Sequence, residues 1–173
     1  MTTDTEISEL RLQLAQVTGR LRQLEDERAV LDTLYAYHHC LGSQDRAGFL
    51  NCFDADGVLV ALGAGGAQVY EVRGQAALAQ WFDRRVKQWP AGTESHAYVS
   101  PRMRMQGDRA EATGFFITMS MNQDAKDAKA ADAMLILRSS GQYSDRLARS
   151  PDGAWRIVER RTQIRLTNRH SFR

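Results

Sequence analysis

The chain has 173 residues, with 23 basic and 21 acidic side chains and a formal net charge of +2. This length predicts one domain with a short appendage, and an apolar content of 43 % is typical of a globular protein with its own core. The balanced charge, without a basic stripe interleaved with aromatic residues, argues against a nucleic-acid partner. No apolar run approaches the ~18 residues of a membrane span, and the polar start MTTDTEISEL does not resemble a signal peptide. We therefore predict a cytoplasmic protein that binds neither nucleic acid nor membranes.

The spacing of potential ligands predicts no metal and no cofactor. Cys40 and Cys52 match no zinc or redox spacing. His38 and His39 are adjacent on a predicted helix, where they point about 100° apart and cannot readily bind one ion. The glycine-rich string Gly63–Gly66 lies in a predicted hairpin rather than between a strand and a helix, so it does not predict a phosphate-binding loop.

The N-terminal quarter predicts a long helix with a narrow apolar seam. Apolar residues recur at alternating spacings of three and four, with an interruption at Arg28, which is the heptad pattern of a coiled coil. A second helix must cover such a seam, and it belongs either to the chain's own domain or to a neighbouring subunit. We favour the subunit, because the seam begins well before the rest of the domain's pattern. Residues 1–28 are therefore predicted to be a helical arm that contacts other copies in a homodimer or homotrimer. The seam consists of Ile7, Leu10, Leu14, Val17, Leu21, Leu24 and Leu31.

Residues 29–167 predict a single α+β domain, and residues 168–173 form a basic tail. The first helix is expected to stop at Gly42-Ser43, where glycine allows a left-handed residue, and Asp45 to cap a second helix. A hairpin and a third, amphipathic helix ended by Pro90 follow.

The second half of the chain predicts a run of antiparallel strands. Helices first and then a long meander are typical of a curved sheet wrapped on helices. The polar segment Asp124–Asp132 is predicted to be a mobile hairpin tip or a lid. The predicted strands are Ser95–Ser100, Arg102–Met105, Arg109–Met121, Ala133–Arg149 and Trp155–Thr167, after a hairpin of 57–62 and 68–72.

Six short strings between residues 20 and 165 carry a family resemblance. They are Leu24–Leu31, the spaced set Asp45, Phe49, Phe53 and Asp56, then Gly74–Leu78, Ser95-His96, Gly141–Leu147 and Trp155–Arg161. In this order they resemble the nuclear-transport-factor-2-like superfamily, in its SnoaL-like polyketide cyclase and scytalone dehydratase branch. The resemblance implies a cone-shaped, strongly curved antiparallel sheet wrapped on three helices, with an apolar pocket at the wide end. Many relatives are cofactor-free enzymes that transfer protons on hydrophobic, often aromatic molecules.

His96 is the leading candidate for a catalytic base. The resemblance places the pocket base of the branch's dehydratases at this position, and histidine has an ordinary pKa suited to a base near neutral pH. The alternative is a surface histidine near a strand end. The same resemblance puts Gly42 where the family has a catalytic aspartate, so this chain lacks the carboxylate expected to orient the imidazole.

The first helix offers a substitute for the missing aspartate. His38 lies four residues before Gly42, and Tyr35 three residues before His38, so the three share one helix face. We predict His38 to be the partner of His96 or the acid, and Tyr35 a hydroxyl donor. The alternative is that His38 fills a contact between helices. Asp145 either orients a pocket residue or, as we favour, pairs with Arg160 or Arg161.

Further side chains are predicted to bind the substrate. Adjacent strand residues face opposite sides of a sheet, so only one of Phe115 and Phe116 can line the pocket, and the thioether of Met119 suits a flat aromatic ligand. The predicted substrate-binding residues are His39, Tyr98, Phe116, Met119, Tyr143, Asp145 and Arg161.

These features predict a cofactor-independent lyase. The substrate is expected to be a hydrophobic, aromatic small molecule. Histidine-based proton abstraction would be followed by loss of water, or by release of a small carbonyl such as formaldehyde from a lignin-like diaryl compound. The alternative is a non-catalytic ligand-binding or assembly subunit of the same fold, such as the small subunit of a ring-hydroxylating dioxygenase. An isomerase needs a carboxylate base in the pocket, and no acidic residue matches one.

Overall fold

The computed structural model describes residues 2–88, 94–121 and 135–167. These ranges confirm the predicted α+β class and the order of the elements. Pro90, the segment Asp124–Asp132 and residues 168–173, for which the sequence makes predictions, lie outside the described residues. No helix within the described ranges is both long and apolar enough to cross a bilayer. The elements are α1 Thr2–Ser43, α2 Arg46–Asn51, β1 Phe53–Leu62, β2 Gln68–Arg73, α3 Gln75–Val86, β3 Glu94–Gln106, β4 Arg109–Met121, β5 Leu135–Arg149 and β6 Trp155–Thr167.

Helix α1 is continuous over 42 residues, so it is about 63 Å long. It ends where the sequence predicts, but the left-handed residue that follows is Gln44, with a φ of 58°, rather than Gly42. Asp45 caps α2 as predicted, and its Oδ1 accepts a hydrogen bond from the Gly48 amide at 2.9 Å. Helix α2 ends at Asn51, because Phe53 already pairs with Ile157 at the start of β1.

The six described strands form one sheet in the order β2-β1-β6-β5-β4-β3. Neighbouring strands are antiparallel except β1 and β6, which are parallel. The two strands predicted on either side of Pro101 form the single strand β3, with a register shift between Val99 and Arg102. Further shifts in β1, β4, β5 and β6 bend the sheet, because an unpaired residue kinks its strand and increases the local twist. The sheet curves around the C-terminal half of α1.

Two glycines on the inner face of the sheet make room for aromatic rings. A Cβ at Gly114 would lie 2.5 Å from the ring of Tyr98, and one at Gly141 would lie 2.6 Å from the ring of Phe116. Atoms cannot approach so closely, so each ring lies directly over a strand position that has no side chain. Tyr98 and Phe116 thereby occupy the interior between α1 and the sheet.

Below these rings, the core contains a fully buried ion pair between β5 and β6. Arg160 Nε donates to Asp145 Oδ1 at 2.7 Å, and Nη2 donates to Oδ2 at 2.9 Å. The guanidinium carbon lies 3.9 Å from the ring centre of Tyr37 and 4.3 Å from that of Tyr143. Burial opposes the charge, but Asp145 outweighs it and raises the pKa of Arg160. The preferred interpretation of Asp145 as half of an ion pair is confirmed, with Arg160 rather than Arg161 as its partner.

Removing the buried cation should destabilise the fold strongly. Arg160→Met leaves the Asp145 carboxylate buried without a counter-charge, so we expect the free energy of unfolding in urea to fall by about 3–5 kcal/mol. Arg161→Met is the matched control, because Arg161 is exposed and pairs with Glu159 on the outer face, where an ion pair contributes about 0–1 kcal/mol. Equal losses in the two variants would contradict the central role of the buried pair.

Candidate functional site

His38 from α1 and His96 from β3 meet inside the fold. Their ring centres are 6.2 Å apart. The residue His38 is only 5 % exposed, and the side chain of His96 is 6 % exposed. The pairing of β3 with β4 sets His96 opposite Thr118, which is itself buried on the inner face. The predicted placement of both histidines in the interior is therefore confirmed, and a surface location for His96 is wrong.

Aromatic side chains surround the His38 ring on three sides. Tyr98 stacks on it, with ring centres 5.3 Å apart and an angle of 18° between the planes. Tyr37 and Tyr143 each contact it edge-on at 5.2 Å. Phe116 packs against Tyr143 at 4.7 Å and continues this wall. The predicted pocket residues Tyr98, Phe116 and Tyr143 thus all lie on the inner face with the histidines.

The structure reveals a carboxylate partner that the sequence analysis missed. Glu94 Oε2 lies 3.1 Å from His96 Nε2. Arg85 Nη2 donates to Oε1 and Oε2 of Glu94 at 2.5 and 2.7 Å. Burial opposes ionisation of Glu94, but hydrogen bonds from His96 and Arg85 and the positive charge of Arg85 outweigh it and lower the pKa of Glu94. Glu94 is therefore ionised near neutral pH and accepts a hydrogen bond from Nε2 of His96.

Glu94 lies beside the position where the family carboxylate is missing. A Cβ at Gly42 would lie 3.5 Å from the Glu94 carbonyl oxygen, in ordinary contact. The carboxylate that contacts His96 is thus carried by the start of β3, whose backbone lies beside the end of α1. The alternation of side chains along a strand predicts this contact, because Glu94 precedes His96 by two residues and so shares its face of the strand.

The bond to Glu94 fixes which nitrogen of His96 can act as a base. An ionised carboxylate only accepts hydrogen bonds, so a neutral His96 donates its Nε2 proton to Glu94. The lone pair then resides on Nδ1. A proton taken up at Nδ1 gives an imidazolium, and the adjacent Glu94 stabilises its charge, which is the role of an orienting carboxylate in acid–base catalysis.

His38 differs from His96, because neither of its ring nitrogens has a hydrogen-bond partner among the described residues. The hydroxyls of Tyr98 and Ser120 and the Nη1 atom of Arg160 are buried and unpartnered in the same sense. A buried polar group without a partner costs about 1–3 kcal/mol. This cluster can therefore gain hydrogen bonds from a polar molecule that reaches it.

The protonation state of His38 follows from its surroundings. Burial, then the positive charge of Arg160, then His96 lower the pKa of His38 to about 2. His38 is therefore a neutral imidazole near neutral pH, able to donate one hydrogen bond and accept another. Of the two roles predicted for His38, this state favours that of a partner over that of the acid.

Tyr35 lies further from the histidines than the sequence predicts. It is 43 % exposed, and its ring contacts Tyr98 edge-on at 6.2 Å. Tyr98 is the phenol that stacks on His38, so the hydroxyl beside the histidines comes from β3. The predicted cluster of Tyr35, His38 and His96 is corrected to one of Tyr98, His38 and His96.

Three residues predicted to bind the substrate lie away from the histidines and the aromatic wall. His39 is exposed, because its neighbours Tyr37 and His38 occupy the buried face of α1. Met119 pairs in register with Ser95, on the strand face opposite to Thr118. Arg161 is exposed and pairs with Glu159, because Arg160 takes the inward position on β6.

The described residues show no metal-binding arrangement. No group of three or more histidine, cysteine, aspartate or glutamate side chains in that part of the chain is placed to hold an ion. Cys40 and Cys52 are both buried and free, and burial raises the pKa of each thiol. The side chains that the site brings together, His38, His96 and Glu94, are ones that transfer protons and form hydrogen bonds.

Comparison with solved structures gives the same fold. An NTF2-like protein with a cystatin-like fold from Novosphingobium aromaticivorans aligns with 90 % of this chain and 92 % of its own, at 19 % identity and a TM-score of 0.70. Hexachlorocyclohexane dehydrochlorinase LinA-type3 from Novosphingobium barchaimii aligns with 86 % of this chain and 92 % of its own, at 12 % identity and a TM-score of 0.68.

A third solved structure comes from a multisubunit system. It is a Novosphingobium aromaticivorans protein assigned as the beta subunit of an aromatic-ring-hydroxylating dioxygenase, and it aligns with 86 % of this chain and 94 % of its own, at 17 % identity and a TM-score of 0.69. At such identities the likeness concerns the fold alone.

Among curated proteins, none matches this chain. The SnoaL-like domain family, however, matches residues 22–161, which is most of the sequence. The chain therefore belongs to the SnoaL-like domain family.

Proposed function

We propose that the protein is a cofactor-independent lyase that acts on a hydrophobic, aromatic small molecule. The observation that carries this proposal is the hydrogen bond between His96 and Glu94, beside an aromatic-walled interior that also holds the unpartnered nitrogens of His38. A dehydrochlorinase of the same fold, whose name describes an elimination, supports this reaction class.

In this proposal His96 is the base and Glu94 is a positioning residue. The substrate proton is taken up at His96 Nδ1 while Nε2 stays hydrogen-bonded to Glu94. Arg85 holds the Glu94 carboxylate in place from the last turn of α3. General-base catalysis of this kind contributes roughly 10²–10⁴-fold to turnover.

His38 and Tyr98 bind the oxygen atoms of the substrate in this proposal. Burial, followed by the negative charge of Asp145, raises the pKa of Tyr98, so its phenol stays protonated and donates a hydrogen bond. The neutral His38 stacked on it can donate from one nitrogen and accept at the other. Together they can hold a hydroxyl group as it departs, while Phe116 and Tyr143 contact the aromatic part of the substrate.

Two eliminations fit these roles. In a dehydration, His96 takes a proton from carbon, the C–H electrons form the double bond, and the hydroxyl leaves and is protonated to water. In a fragmentation of a 1,2-diarylpropane-1,3-diol, His96 takes the proton of the terminal hydroxyl. That carbon leaves as formaldehyde, the electrons of the broken C–C bond form the alkene, and the second hydroxyl leaves as water.

The rival function is that of a non-catalytic subunit. Two observations favour it: Gly42 replaces the family aspartate, and a dioxygenase beta subunit has the same fold. The purified chain incubated alone with 1,2-diarylpropane-1,3-diols discriminates the two functions. A lyase releases the alkene, seen by its ultraviolet absorbance, whereas a subunit does nothing without a large partner.

Replacing His96 should abolish most of the activity. His96→Gln removes the base, so we expect kcat to fall by roughly 10²–10⁴-fold, measured as alkene formation. His39→Gln is the matched control, because His39 is an exposed histidine on the same helix as His38 and should retain full turnover. Full turnover in His96→Gln would refute the proposed base.

Glu94 should matter for turnover through His96. Glu94→Gln keeps the shape of the side chain but removes the charge that stabilises the imidazolium, so we expect kcat to fall by roughly tenfold or more. The KM should change little, whereas the melting temperature should fall because the ion pair with Arg85 is lost, so kcat is measured at a temperature where the variant is folded. A loss confined to KM would instead mean that Glu94 contacts the substrate.

The neutral state of His38 makes the stability of the protein depend on pH. The pKa of His38 is about 2 in the folded protein and about 6.5 in an unfolded chain. Below about pH 6.5 the unfolded chain takes up a proton that the folded protein refuses. Stability therefore falls as the pH falls, by up to about 1.4 kcal/mol per pH unit.

Replacing His38 should remove this part of the pH dependence. Urea unfolding between about pH 7 and pH 4 measures it, and we expect a shallower slope in His38→Phe than in the unchanged protein. His39→Gln serves as the control and should keep the original slope. Equal slopes in His38→Phe and His39→Gln would show that the pKa of His38 does not change on folding.

A further inference from the structure

The apolar seam of α1 is left uncovered by the chain's own domain. Six seam residues project from the first three heptads, and each is at least 46 % exposed. Exposed apolar side chains are ordinary one at a time, but a continuous row of them marks an interaction surface. The row consists of Ile7, Leu10, Leu14, Val17, Leu21 and Leu24.

The domain lies against the opposite face of this helix. Gly19, Arg22, Gln23 and Asp26 border a cleft that is closed by the turn between β3 and β4. Asp26 also pairs with Arg149 and accepts a hydrogen bond from Trp155 Nε1 at 3.3 Å. With Ile7 at heptad position a, these residues occupy positions b, c and f, which face away from a and d. The domain therefore cannot turn to cover the seam without losing its contacts with α1.

Charges beside the seam indicate what does cover it. In a parallel coiled coil, each g residue faces the e residue of the next heptad on the other helix. With this assignment, Glu6 faces Arg11 of a second copy, and Arg20 faces Glu25. The pair between them, Gln13 and Thr18, is polar and uncharged. In the parallel arrangement, each flanking pair is therefore either oppositely charged or uncharged, and no like charges face each other.

The antiparallel arrangement lacks this agreement. There, g residues face g residues, so full overlap of the two seams brings Glu6 close to Glu27 of the second copy. Two carboxylates would then flank each end of the seam, and the opposite charges of Glu6 and Arg11 would no longer meet. The charges thus favour one orientation.

We propose that two copies of this chain form a parallel, two-stranded coiled coil through residues 7–24 of α1. The exposed row of apolar residues is followed by Arg28, which occupies the next a position and pairs with Asp32 of its own helix at 2.9 Å. The coiled coil is about 27 Å long, at 1.5 Å per residue. Its parallel orientation sets the two domains side by side at the same end.

A pair of matched leucines tests whether the seam holds the copies together. Leu14 occupies position a and is 67 % exposed, while Leu12 occupies position f and is 60 % exposed. We expect Leu14→Glu in the full chain to halve the native mass measured by analytical ultracentrifugation, and Leu12→Glu to leave it unchanged. A monomeric unchanged protein, or equal masses for both variants, would overturn the proposal. Circular dichroism verifies that each variant is folded.

Cysteine cross-linking tests the orientation. In the parallel arrangement, position 14 faces position 14 of the second copy, so Leu14→Cys should form a disulfide-linked dimer under mild oxidation. Leu12→Cys should not form this disulfide, because a residue at position f points away from the second copy. In the antiparallel arrangement, Leu14 would face Val17 instead. Absence of the linked dimer in Leu14→Cys would overturn the parallel orientation.

Charge reversal tests the flanking pairs. In each copy, Glu6→Arg places an arginine opposite Arg11 of the other copy. The like charges repel, so we expect the dimer dissociation constant to rise several-fold at low salt. The double variant Glu6→Arg/Arg11→Glu should restore it. Glu9→Arg makes the same change at position c and should have no effect. A double variant as weak as Glu6→Arg would count against the parallel pairing.

Discussion

The buried pair of Arg160 and Asp145 is the interaction on which the interior depends. Its guanidinium lies between the rings of Tyr37 and Tyr143, and both rings contact His38. Burial, and after it the same positive charge, lowers the pKa of His38 and so disfavours its protonation. The ion pair thus helps to set both the positions of the aromatic wall and the charge state of the imidazole within it. A neutral pair of the same shape would hold the rings in place but would not act on the histidine.

The acid–base unit of the site is built from short-range geometry. Glu94 and His96 share one face of β3, so their contact requires only a regular strand. The packing of α1 on the sheet then adds His38 from the other side. This chain has Gly42 at the end of its first helix and still contains a carboxylate–histidine pair, because Glu94 and His96 both lie on β3.

The sequence predicts the order of elements well and the site only in part. Periodicity is a local property, so α1, the β1–β2 hairpin and the strand run are recovered. Which of two neighbours faces inward depends on register and packing, and this is where prediction fails. Arg160 and Arg161 cannot be distinguished without the bulge that shifts the pairing of β5 with β6 between Arg146 and Leu147. The predicted strand begins at Ser95, whereas β3 begins at Glu94, so the predicted boundary leaves Glu94 off the strand face that it shares with His96.

The glycine under the ring of Tyr98 gives the interior a simple means of changing shape. The space above Gly114 is filled from the neighbouring strand by Tyr98, whereas a Cβ at Gly141 would also lie 2.0 Å from the backbone oxygen of Gln163. Shortening the side chain at position 98 while adding a methyl group at Gly114 would therefore move volume from β3 to β4 without leaving a cavity. Such a paired exchange would change the shape of the space available to a substrate while the backbone and the ion pair beneath it stay unchanged.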